Sequence, residues 1–171
     1  METIIDKLSS YNIFNYLFPG VVFCLGFSYL TNITILPTDS LLNLFFYYFV
    51  GMVISRIGSL IIEKLLLKIK YVKYTNYKDF QIAEAVDQKL QTLLEIANMY
   101  RTIISMILLL LIFYCVFLIL NYSSISGFRF CYNIIALLLL LVLFIISFKK
   151  QVLYITKRVE NIQENQKGDS K

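Results

Sequence analysis

Residues 102–120 read TIISMILLLLIFYCVFLIL, a run with no charge in it, and a helix needs about 20 mostly apolar residues to cross a hydrocarbon core roughly 30 Å thick. Three more stretches of this kind flank it, at residues 14–30, 41–62 and 130–148. The whole chain agrees with them. Its 171 residues are 58% hydrophobic and 16% charged, where soluble domains average about 45–50% and 25%, and mean hydropathy is +0.71. The expected fold is an all-α membrane protein with four transmembrane helices and a small cytoplasmic helical extension.

Charge position supplies the orientation. Of sixteen Lys and Arg residues, Lys7 precedes the first span, Arg129 alone lies between the third and fourth, and the segment 31–40 has none. Lys64, Lys68, Lys70, Lys73, Lys78, Lys89 and Arg101 lie between the second and third spans, and six more basic residues follow the fourth. Basic residues in short loops stay on the cytoplasmic side, so both termini and the central segment are expected there, in a bacterial inner membrane. Pro19 and Gly20 interrupt the first span, but no basic region precedes it and no small-residue cleavage site follows, so it is expected to remain as an anchor. The chain then divides into an interfacial helix at 1–13 (Ile4, Ile5, Leu8 and Tyr11 on one side), a hairpin at 14–62, a basic loop and amphipathic helix at 63–101, a second hairpin at 102–148 and a cytoplasmic helix with a fraying tail at 149–171.

Two periodic patterns lie outside the spans. From Asp79, the positions Ile82, Val86, Leu90, Leu93, Leu94 and Ala97 recur at three and four residues, which predicts an amphipathic helix continuous with the third span. After the fourth span, Val152, Ile155, Val159 and Ile162 form a heptad seam. Branched residues at both seam positions favour trimers or tetramers, so the seam is expected either to join copies of the chain, most simply as a homotetramer, or to pack on the helix from Asp79.

The functional candidates start on the second span. Gly51, Ser55, Ser59 and Glu63 follow at i+4, a spacing of small residues that lets membrane helices approach closely. Arg56 stands beside them, expected either to snorkel to the interface or to point inward, pairing with Glu63 or lining a pore. The five lysines from Lys64 to Lys78, interleaved with Tyr71, Tyr74 and Tyr77, meet no acid. They suit anionic membrane lipid, and they also suit a single-stranded DNA oligomer, through phosphate contacts and stacking. Asn98 and Arg101 are expected to couple the cytoplasmic helix to the second span near Glu63.

No cofactor or metal is expected, and catalysis is the least favoured class. There is no His in the chain, no paired intramembrane Asp, and no oxyanion-hole motif beside Ser55 or Ser59. Cys24, Cys115 and Cys131 share no CxxC spacing and read as packing residues.

The segments GMVISRIGSLIIE at 51–63, YKDF at 77–80 and NMYR at 98–101 resemble small four-span membrane effectors of bacterial anti-phage defence operons, in particular the membrane subunit of the Hailong type and less closely that of the Kiwa type. The resemblance covers about the middle third of the chain. It implies a homotetrameric channel whose cytoplasmic crown is controlled by a bound DNA oligomer, with release causing growth arrest. From the residues themselves, an oligomeric pore is the leading expectation, and a non-conducting membrane scaffold for a soluble, operon-encoded partner is the alternative. A holin-like lysis protein is a third possibility.

Overall fold

The computed structural model describes residues 13–35, 39–121 and 127–169, and every element in them is helical. The expected interfacial helix at 1–13 lies almost wholly outside the described residues. A π-helical turn, Ile13–Leu17, runs into α1 (Phe18–Thr31), which ends on Asn32 in the left-handed conformation at φ 57°. Helix α2 (Ser40–Ile57) begins on Asp39, whose carboxylate accepts from the Leu41 and Leu42 amides. A second π-helical turn (Gly58–Ile62) connects α2 to α3 (Glu63–Lys68). Then come α4 (Tyr77–Val86), α5 (Lys89–Leu120) and α6 (Gly127–Asp169).

Three helical stretches are long and apolar enough to cross a membrane: Ser40–Lys68, Lys89–Leu120 and Cys131–Asn165. The first apolar helix, Asn15–Thr31, is shorter. It packs on α2 with the two backbones nearly touching. A Cβ on Gly20 would lie 1.8 Å from the Tyr47 carbonyl oxygen, and one on Gly51 would lie 1.7 Å from that of Tyr16. Only glycine at both positions allows this crossing, which explains Gly51 as a packing residue.

Helix α5 belongs to two buried clusters. Ile103, Met106, Ile107, Leu110 and Leu111 pack with Phe23, Cys24 and Ile54 of α1 and α2. Nearer the start of α5, Leu90, Ala97 and Ile104 pack with Ile62, Leu66, Val72, Ala83, Phe148, Val152, Ile155 and Val159. The second cluster holds the seam, which packs within the chain in one of its two expected arrangements. Val152, Ile155 and Val159 are buried and Ile162 packs against the same cluster, so they are used within one chain rather than between copies. The apolar stripe of α5 and the small Ala83 of α4 offer that surface first, and intramolecular burial carries no association cost.

The helix expected from Asp79 through Tyr100 is also broken. Asp87 accepts from the Lys89 amide and pairs with Arg158 on α6, which ends α4 and starts α5 anew. The break turns Ile82 and Val86 outward, 52% and 64% exposed, so the face of α4 that is buried is that of Ala83. The tail is helical as far as Asp169 instead of fraying from Asn165. Helix α3 ends with Lys70 left-handed at φ 56°, while the Tyr71 amide donates to the Leu66 carbonyl and the Lys70 amide to that of Leu67. This is a Schellman turn with lysine where glycine is usual.

Candidate functional site

The π turn at Gly58–Ile62 decides where the charges of the second span fall. In an unbroken α-helix, residues 56 and 63 share a face. One π turn inserts about one extra residue and rotates everything after it by about 100°. Glu63 therefore leaves the Arg56 line and meets α5, where it pairs with Arg101. This corrects the expected Arg56–Glu63 pairing. Arg56 is exposed, and its backbone carbonyl accepts from the Ser59 hydroxyl at 3.0 Å.

Arg101 and Glu63 are 13% and 23% exposed at their side chains, so water screens the pair only in part. Removing one partner from such a pair leaves a poorly solvated charge behind. Tyr74 reaches the same carboxylate from the loop after α3. Burial raises the Tyr74 pKa well above the ordinary phenol range, the Glu63 carboxylate raises it further, and Arg101 offsets part of the shift. The phenol stays neutral and keeps its proton to donate.

A neutral polar cluster adjoins the ion pair. Thr102 Oγ1 lies 2.9 Å from the Asn98 carbonyl, 3.1 Å from Asn15 Oδ1 and 3.2 Å from Ser55 Oγ. A hydroxyl has one proton and two lone pairs. Thr102 thus shares its one proton among the Asn98 carbonyl, Asn15 Oδ1 and Ser55 Oγ. Asn15, Ser55 and Thr102 are all buried, which ties the first π turn, α2 and α5 together at one level. Ser105, one turn further along α5, is fully buried, and neither its hydroxyl nor Arg101 Nε has a hydrogen-bond partner. Both groups are on the side of α5 that faces the π turn. A Cβ on Gly58 would lie 3.3 Å from the Arg101 carbonyl oxygen and 3.5 Å from the Ser105 Cβ.

Of the residues singled out from sequence, the structure joins Glu63 to Arg101, and Ser55 to Thr102 beside the Asn98 carbonyl. It leaves Arg56 apart. Lys64, Lys68, Lys70, Lys73 and Lys78 are all exposed. Tyr71 carries the Lys149 ammonium over its ring at 4.3 Å, and both Tyr71 and Tyr74 pack against the cluster around Leu90. Asn15, Thr102 and Ser105 escaped the sequence reading. Their signal was present, since each is a polar residue on or just inside the edge of an apolar run. Among the described residues, no group of three or more His, Cys, Asp or Glu side chains is placed to hold a metal ion.

The arrangement defines a class, a helical protein with three helices long and apolar enough to cross a membrane and a polar junction where the first π turn, α2 and α5 meet. No family model, curated protein or solved structure matches the chain.

Proposed function

We propose that the chain is a four-span protein of a bacterial inner membrane, with both termini in the cytoplasm, that acts as a non-conducting scaffold for a soluble partner. One observation carries the scaffold reading. Beyond the ion pair, α4 and the ends of α5 and α6 build a helical body around Leu90, Val152 and Val159, and α4 turns Tyr77, Ile82 and Val86 outward from it. A crossing by the first helix is supported by the 19 residues of Ile13–Thr31, about 28 Å at 1.5 Å per residue. It is supported too by the level that Asn15 shares with Ser55 and Thr102. The orientation rests on the basic residues at 64–101 and after 149. Lipid would cover the apolar faces of α2 and of the first half of α6, where Phe45 and Leu139 are exposed.

Arg56 favours the second reading, an oligomeric pore. Exposed on the outer face of α2, it would form a ring of positive charge in a homotetramer. The exposed lysines would then hold a DNA oligomer that controls opening and growth arrest, as the resemblance implies. Against this stand the use of the heptad seam within the chain and the enclosure of the polar cluster between the first π turn, α2 and α5.

Recording from planar bilayers separates the two. The scaffold gives no conductance at any voltage, with or without added oligonucleotide. Reproducible current steps that change in Arg56→Ala establish the pore instead.

A further inference from the structure

We propose that the π turn at Gly58–Ile62 is a one-residue register switch, held in its present register by the Glu63–Arg101 ion pair. Four observations converge on it. The amide of Glu63 donates to the carbonyl of Gly58, five residues back, so the turn stores one residue more than an α-helix would. Such turns are uncommon and concentrate where helices change register. Glycine at position 58 lets the turn lie against the α5 backbone at Arg101. The chain beyond the turn is fastened to α5 through Glu63. Two buried donors facing the turn, Ser105 Oγ and Arg101 Nε, have no partner in this register.

Without the ion pair, the stored residue passes into regular α-helix. Helix α3 then turns by about 100° relative to α2 and advances by about 1.5 Å. In that register Glu63 returns to the line of Gly51, Ser55 and Ser59 and shares a face with Arg56. Lys64 and Lys68 turn with it, which changes the side of the bundle on which the basic loop leaves. The switch thus connects the apolar part of the second span to the charged segment after it, and two arginines on different helices compete for one carboxylate. It operates whether or not the protein conducts.

Electron–electron distance measurement tests this in lipid nanodiscs. Spin labels are placed at Lys68→Cys on α3 and Leu153→Cys on α6, both exposed, with Cys24, Cys115 and Cys131 replaced by alanine. The labelled background is expected to give one distance. Arg101→Gln is expected to add a second population, displaced by several ångströms because side chains stand about 5–6 Å from the helix axis. Glu63→Gln opens the same pair from the other side and is expected to give the same population. Deleting Leu60, which removes the stored residue while leaving Glu63 in place, is expected to abolish the second population in the Arg101→Gln chain. Identical distributions in the background and both charge variants overturn the switch. So does a second population that survives the deletion. If the labelled chains do not fold, hydrogen exchange at residues 58–68 of the otherwise unaltered protein decides. Faster exchange confined to that segment in Arg101→Gln supports the switch, and unchanged exchange refutes it.

Discussion

Replacing Gly51 by alanine places a methyl carbon where the bundle has no room for one. Its Cβ would lie 1.7 Å from the Tyr16 carbonyl oxygen and 3.1 Å from the Gly20 amide nitrogen. Both are backbone atoms, so no rotamer change relieves the contact. The first π turn and α2 must part by more than about 1 Å before the overlap ends. That movement pulls Asn15, which lies one residue before Tyr16, away from Thr102, stretching a 3.1 Å contact beyond hydrogen-bonding range. Overpacking costs about 1–3 kcal/mol and an unmet buried polar group about 1–3 kcal/mol. Alanine returns about 1 kcal/mol of helix propensity over glycine, leaving a net loss of about 1–5 kcal/mol. Gly26→Ala is the control. Its Cβ would meet only the end of the Leu110 side chain, at 3.3 Å, so the propensity gain leaves it close to neutral. Reversible unfolding in mixed micelles, titrated with a denaturing detergent, measures both. If Gly51→Ala proves as stable as Gly26→Ala, the close crossing of α1 and α2 is wrong.

Thr102→Val should cost about 1–3 kcal/mol, because Ser55 and Asn15 both lose a partner inside the bundle; Ser105→Ala removes a hydroxyl that has no partner and should be neutral or stabilising in the same titration. Ile155→Ala should lower stability by about 3 kcal/mol through a cavity beside Leu90 and leave the particle mass unchanged, whereas a fall in mass by native mass spectrometry would return the seam to the oligomer. The hydrogen bond from Arg158 depresses the Asp87 pKa below the usual carboxylate value. The stability contributed by this contact is therefore fully present above the unfolded pKa of about 3.9 and is lost as pH falls through the lower folded value. Protection from amide exchange near residues 87 and 158, relative to the intrinsic rate at each pH, should fall below about pH 4 in the unaltered chain, and Asp87→Asn should remove that fall.

The apolar runs made the long apolar helices legible, since Thr102 to Leu120 and the leucine-rich start of α6 have the length and composition of membrane spans. The heptad spacing of Val152, Ile155 and Val159 was equally plain and correctly marked a buried face. Spacing carries no information about what covers a face, and α5 covers it within the chain. The π turn was not legible. Nothing in GSLII at 58–62 distinguishes it from α-helix, because the turn is selected by α5, through Arg101 and the close approach at Gly58. One extra residue there was enough to move Glu63 from the Arg56 line to Arg101. Asp87 did carry its signal, as an acid two positions before Lys89 whose carboxylate can accept from that amide, but the apolar periodicity through Val86 and Leu90 masked it. Lys70 gave none, because a left-handed lysine follows from the turn that closes α3 and not from its own preference.

Thiol labelling with a membrane-impermeant reagent tests the four-span arrangement most directly, since the scaffold reading and the cytoplasmic placement of the basic loop both depend on the first helix crossing. In a background without native cysteines, Thr34→Cys lies in the exposed segment after α1 and Lys68→Cys at the end of α3. In right-side-out vesicles, residue 34 should be labelled from outside, and residue 68 only after the membrane is opened. Labelling of both residues from the same side would contradict the account, because the hairpin of α1 and α2 would then not carry the chain out and back.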